Sequence, residues 1–273
     1  EARTPSPGDE RRWSRHVGAL DRDTWLRQRS VRITVVGAGR MGSAVATTLA
    51  RWASPLTLVD ADTVELHNLD ASEWLLPSDL GQPKSEALAR HLLRLGTGAP
   101  VEGIVADIRS REGKAALSHA EVVACCVDND AARGFVGAWA RRYGLVLLDL
   151  GVGVHRDAGG WRAGGDVRLI VPGDGCLECW GGLADPEARG QAADWRQERA
   201  GSLRTLVQSV GHLGLTLLEQ LLLSRLPGSA WLRLEIDAIG MPVIRHLRRA
   251  VSRECPACQE TFQGQSLMEA SSS

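Results

Sequence analysis

A β-branched run, Val31-Arg-Ile-Thr-Val-Val36, feeds directly into Gly37-Ala-Gly39-Arg-Met-Gly42, and a helical pattern follows over Ser43–Trp52. Strand, glycine turn and helix in that order leave few folds open. Glycine at the first, third and sixth places makes a tight turn, lets phosphate approach the backbone, and lets the helix pack closely on its strand. The helix N-terminus then offers N–H groups and positive dipole to an anion. A second apolar run, Leu56–Val59, ends at Asp60, where a carboxylate can accept hydrogen bonds from ribose hydroxyls. The plainer alternative is a tight turn that binds no nucleotide; the flanking strand, the helix and the placement of Asp60 weigh against it.

Val101–Val105, Val122–Val127 and Val146–Leu148 repeat the strand signal, with helical patterns over Gln82–Leu95, Arg111–Ser118 and Ala131–Tyr143. Strands alternating with helices predict an α/β fold, Rossmann-like, with a mostly parallel sheet and helices on both faces. After Asp149 the texture changes. Gly151–Gly175 is glycine-rich, and Ala184–Ala200 is polar with no clear period, its charged run Asp185–Arg199 suiting a mobile crossover or a solvated linker. An apolar helix over Leu203–Leu223 suits a buried position or a dimer interface. Two further strands, Trp231–Ile236 and Pro242–Arg245, are expected to extend the sheet C-terminally. A charged segment over residues 11–30 reads as helical. Residues 1–10 and 263–273 read as disordered tails, leaving 11–262 as a single domain.

A net charge of −1 gives no reason to expect nucleic acid or an acidic membrane as partner. No apolar run reaches spanning length and the N-terminus lacks a signal-like stretch, so a cytoplasmic protein is expected. Four of the six cysteines form two C-x-x-C pairs, Cys176/Cys179 and Cys255/Cys258. Each pair lets one ion take both thiolates, and two pairs complete a tetrahedral sulfur shell for zinc with no open position, which makes the site structural. Two redox or incidental pairs are the competing reading. Cys125 and Cys126 end an apolar run and read as core residues or neighbours of Asp128. The seven histidines are scattered with none at ligand spacing to a cysteine, so core or solvated roles are expected. Trp13, Trp25 and Trp74 could line a partner groove or pack at core edges.

The glycine loop, Asp60, Asn68, Lys84, the turn Cys126-Val-Asp128-Asn129 and the two cysteine pairs follow one another in an order that resembles the MoeB/ThiF group of ubiquitin-activating-enzyme-like adenylyltransferases. The resemblance runs from about Arg12 to Cys258. It implies Mg-ATP as cofactor, adenylation of the C-terminal carboxylate of a carrier protein or precursor peptide, and a homodimer. Gly37, Gly39 and Gly42 match the family's nucleotide loop, Asp60 its ribose acid, and Asp62 the second acid of its D-x-D pattern. Asn68 and Lys84 fall on phosphate-binding positions and Asp128 on the magnesium-associated aspartate. Arg15 resembles an N-terminal arginine that reaches the neighbouring subunit's ATP. The implied reaction joins two anions, so Lys84, magnesium near Asp128 and an arginine would offset charge in the transition state. No general base is needed, because the attacking carboxylate is already ionised.

Two departures stand out. The family pattern Asn-Leu-x-Arg-Gln reads Asn68-Leu-Asp70-Ala71-Ser72 here, placing Ala71 where an arginine is expected. Either another arginine substitutes (Arg40 is nearest in sequence), or turnover is slow, or the chain is a pseudo-enzyme that binds a peptide or partner subunit. Residues Ala193–Ser202 also contain no cysteine where relatives that form a thioester carry one, so no enzyme thioester is expected. A nicotinamide-dependent oxidoreductase would explain the glycine loop and Asp60 but gives no reason for Lys84, Asp128 or the cysteine pairs.

Overall fold

The computed structural model describes residues 7–72, 74–157, 160–183, 203–237, 239–248, 255 and 258. The expected tail at 263–273 and the crossover at 184–200 lie outside them. At the other end, the helix Pro7–Arg12 begins inside the stretch read as a tail.

Eight strands form one sheet: β1 (Ile33–Val36), β2 (Leu56–Val59), β3 (Val101–Ile104), β4 (Val122–Cys125), β5 (Val146–Asp157), β6 (Gly160–Ile170), β7 (Ala230–Ile236) and β8 (Pro242–Leu247), in the order β3-β2-β1-β4-β5-β6-β7-β8. The first five run parallel, and β6 to β8 add antiparallel strands. The parallel half and the C-terminal extension thus match the sequence reading, with one correction. The strand expected to stop at Leu148 continues to Asp157, and the glycine-rich stretch after it folds back as β6 instead of leaving the sheet as loop. Glycine is required there by packing. A Cβ on Gly165 would lie 2.6 Å from both the Gly151 carbonyl oxygen and a Val210 methyl. Bare backbone lets the long C-terminal helix settle directly on the sheet.

Helices cover both faces. On one lie α4 (Arg40–Trp52), α6 (Lys84–Leu93) and the long helix α9 (Arg204–Leu222). On the other lie α7 (Arg111–Leu117) and α8 (Asp130–Tyr143). The side-chain period of a strand sorts the two cores: Val122, Ala124 and Leu148 point into the first, while Val123, Cys125 and Leu147 point into the second. Strands buried on both faces need such unbroken apolar runs. The apolar face of α9, including Leu206, Val210, Gly214 and Leu218, is buried against the sheet, as expected of a core helix.

The N-terminal segment forms α1 (Pro7–Arg12), α2 (Ser14–Leu20) and α3 (Arg22–Ser30). Trp13 and Trp25 pack with Ala53, and the Arg29 guanidinium lies 4.6 and 4.9 Å from the two indole centroids. Trp13 Nε1 donates to the Arg51 carbonyl, and Arg12 donates to the carbonyls of Leu95 and Gly96. Trp13 therefore pins the segment to the C-terminal end of α4 and Arg12 pins it beyond α6, and Trp13 and Trp25 are buried instead of lining a groove. No helix among the described residues is long and apolar enough to cross a membrane.

Candidate functional site

The chain reverses its winding between β1 and β4, and open α/β sheets bind ligands in the crevice at the carboxyl ends of such a strand pair. Two loops meet there. After β1, Gly37 adopts φ +92°, and a Cβ on it would sit 2.9 Å from the Cys126 carbonyl oxygen in the turn after β4. Gly42 packs α4 against the loop so closely that a Cβ would fall 1.7 Å from the Gly37 oxygen. Gly39, the residue preceding α4, differs: an added Cβ meets nothing within 4 Å. Two glycines are thus explained by protein contacts, and the third leaves bare backbone facing open space.

Asp60, just past β2, closes this loop from the side. Its Oδ2 accepts from the Ala38 N–H at 2.6 Å and its Oδ1 from the Asp62 N–H at 2.8 Å. Burial pushes its carboxyl above the ordinary value, against the pull of those N–H groups and Lys84. Residues 60–84 leave the sheet and return through a narrow neck. Val64 N–H donates to Gln82, Gly81 N–H to Val64 and Lys84 N–H to Asp62. The neck brings Lys84 Nζ within 2.8 Å of Asp62 Oδ2, with the lysine largely buried and the aspartate exposed. Gly81 sits at φ +78° in the returning turn, and Pro83 directly precedes α6, which accounts for the tetrapeptide Gly81-Gln-Pro-Lys84. Helix α6 starts at Lys84, two residues later than the sequence suggests.

Within the excursion, α5 (Asn68–Ala71) is a single turn, and the buried Asn68 uses Oδ1 to accept from the Glu65 N–H. Asp70, on the same turn as Ala71, lies 3.2 Å from the Arg40 guanidinium. Asp128 is exposed in the turn after β4, and Asn129 caps α8 by accepting from the Ala132 N–H. Arg15 is not brought to this crevice. Its helix sits against the C-terminal end of α4, and the 13 residues of that helix put about 20 Å between that end and the glycine loop.

A buried cluster that the sequence does not announce supports the Asp128 turn. Asp149, fully buried on β5, accepts from Arg133 at 3.0 Å and from Arg168 at 3.1 Å. Arg133 also donates to the Val127 carbonyl, and Arg168 to the carbonyls of Trp180 and Gly181. Burial raises the Asp149 carboxyl, and the two guanidinium groups pull it back. Burial, together with the Asp149 charge, pushes the Cys125 thiol up to about 12, and burial raises Cys126 as well. Both remain neutral thiols, poor nucleophiles of the kind expected from core residues.

The four paired cysteines converge. Their sulfur atoms lie within 4.8 Å of one another, with Cys176–Cys179 at 3.8 Å, Cys176–Cys255 at 3.7 Å and Cys179–Cys258 at 3.5 Å. A tetrahedral zinc with Zn–S bonds of ~2.3 Å needs sulfur–sulfur edges of about 3.8 Å. The donor set fits a closed structural zinc, holding the turn after β6 to the C-terminal residues.

Solved structures with this fold include E. coli MccB with AMPCPP and MccA, at a TM-score of 0.71 and 18% identity, covering 93% of this chain and 75% of that one. Among curated proteins, ubiquitin-like modifier-activating enzyme 5 of Oryza sativa subsp. japonica is 29% identical over 172 residues, covering 58% of this chain and 39% of its own length. The sulfur carrier protein ThiS adenylyltransferase of E. coli K12 is 27% identical over 159 residues, covering 57% of this chain and 60% of its own. This chain therefore spans less than two thirds of either relative. Residues 13–257 match the ThiF family along their whole length. With the glycine loop, the switch-point crevice and the paired cysteines in place, the chain belongs to the ThiF family.

Proposed function

We propose that the chain is an ATP-dependent adenylyltransferase acting on the C-terminal carboxylate of a peptide or small carrier protein. The observation that carries this reading is the open backbone at Gly39, flanked by the Asp60 carboxylate, with Lys84 held beside it. That arrangement suits a triphosphate on the loop and a ribose on the acid. The names of relatives support it: one adenylates ThiS, and MccB has been solved with AMPCPP and MccA.

In this reading Gly37, Gly39 and Gly42 form the phosphate loop, Asp60 takes the ribose, and Asp62, Asn68 and Lys84 attend the phosphates. Magnesium, held at Asp128, would neutralise triphosphate charge. The substrate carboxylate oxygen bonds to the α-phosphorus as the bond to pyrophosphate breaks, the electron pair leaving with pyrophosphate. No proton moves. The acyl-adenylate then passes to an amine, amide or sulfur nucleophile without an enzyme thioester, a reading supported by the lack of any cysteine over residues 193–202. Arg15 serves the site of a second copy, because its helix is anchored at the far end of α4. We place the protein in the cytoplasm, where ATP and carrier proteins meet, and read residues 11–262 as one adenylation domain.

Ala71 motivates a second reading, in which the chain binds a peptide or partner subunit and turns over nothing. ATP–pyrophosphate exchange with candidate peptides, alongside calorimetry with ATP, separates the two. Exchange that depends on a free C-terminal carboxylate is expected. ATP binding with no exchange for any partner favours the second reading, and no ATP binding at all overturns the first.

A further inference from the structure

Arg40 is the first residue of α4, immediately after the open backbone of Gly39. Its guanidinium lies 3.2 Å from Asp70 Oδ2, and the two side chains differ in exposure, 23% for the arginine and 83% for the carboxylate. Water screens a pair with so exposed a member, so the contact is easily exchanged. A phosphate is the stronger partner, because it can accept two parallel N–H bonds from the planar guanidinium. The loops at this end of the sheet carry the exposed acids Asp62, Asp70, Asp128 and Asp130. Lys84 is already shared with Asp62 at 2.8 Å. A polyanion entering among these carboxylates needs a further cation, and Arg40 stands beside the backbone it would rest on.

We propose that Arg40 is a phosphate-binding residue held in reserve by Asp70. In the free protein the guanidinium rests on Asp70; when ATP enters, it exchanges that carboxylate for the triphosphate. Asp70 therefore competes with the ligand, and it gives Arg40 a partner to return to once pyrophosphate leaves. The inference deepens the ATP reading and rests on it.

Calorimetry with ATP, and with adenosine by competition, tests it on the parent chain, Arg40→Gln, Asp70→Asn and the double variant, with thermal melts to confirm folding. Arg40→Gln should weaken ATP by about tenfold or more and leave adenosine unchanged. Arg40→Lys should recover part of that loss. Asp70→Asn should tighten ATP by about two- to fivefold, the worth of an exposed pair. In the Arg40→Gln background the same Asp70 change should have no such effect. An equal gain in both backgrounds would mean simple repulsion and overturn the reserve role. Unchanged ATP affinity in Arg40→Gln would overturn the phosphate role while leaving the ATP reading standing. A parent chain that binds no ATP overturns both.

Discussion

At Gly42 a methyl group has nowhere to go, because the nearest atom to an added Cβ is a backbone oxygen 1.7 Å away. Three residues earlier, Gly39 has φ −73° and open space around it, so alanine fits the fold without strain. The pair separates architecture from ligand binding. Gly42→Ala should destabilise the chain by about 3 kcal/mol or more. Gly39→Ala should melt with the parent chain yet weaken ATP by about tenfold, or about 1.4 kcal/mol. Melting curves and calorimetry read the two effects independently. The glycines, Asp60 and Lys84 are legible in sequence because a strand, a turn and a helix start fix them locally. Arg40–Asp70 and the Arg133–Asp149–Arg168 cluster are not. Those contacts join residues 16 to 30 positions apart, and nothing in the spacing of the charges says which of them will meet.

At the scale of an element, the excursion from Asp60 to Lys84 is held by more than its neck. Near its end, Asp79 is buried and accepts from the Leu76 N–H and from His91 Nε2, each at 2.8 Å, with Arg90 at 3.6 Å. Burial disfavours this carboxylate, but the N–H group and the two basic side chains outweigh it and hold its carboxyl below the ordinary value. A lowered carboxyl stabilises the fold fully above the unfolded value and loses that contribution as pH falls through the folded value. Asp79→Asn should therefore cost about 1–3 kcal/mol near neutral pH. The gap between its melting temperature and the parent's should close as pH drops below about 4. A gap that stays constant down to acid pH would remove the charge from the explanation. The excursion's two ends were legible and its interior was not, since a single turn of helix and a buried aspartate carry no period. Strand β6 escaped for the opposite reason. Its glycines look like loop punctuation, yet the missing side chain at Gly165 is what lets α9 lie on the sheet.

Across the whole molecule, the cysteine cluster joins parts of the chain about 80 residues apart, from Cys176 to Cys255. Elemental analysis of freshly purified protein should find about one zinc per chain. Stripping it with a chelator should lower the melting temperature, because metal binding is linked to folding. Absence of metal would refute the site. The pairs were legible because C-x-x-C spacing is itself the geometry of two ligands on one ion, and the fold brings the two pairs together as that spacing implies. The buried cluster around Asp149 has a consequence for how such a protein can be recombined. The carboxylate lies on the last parallel strand, one arginine comes from the helix before it, and the other comes from the antiparallel strand after it. A chimera joined anywhere between residues 133 and 168 inherits the acid and its two cations from different parents. Where the donor lacks a matching arginine, the half-neutralised carboxylate would cost about 3–5 kcal/mol. Viable crossovers lie outside that window, so the end of α8 that carries Arg133, strand β5 and strand β6 are inherited as one block.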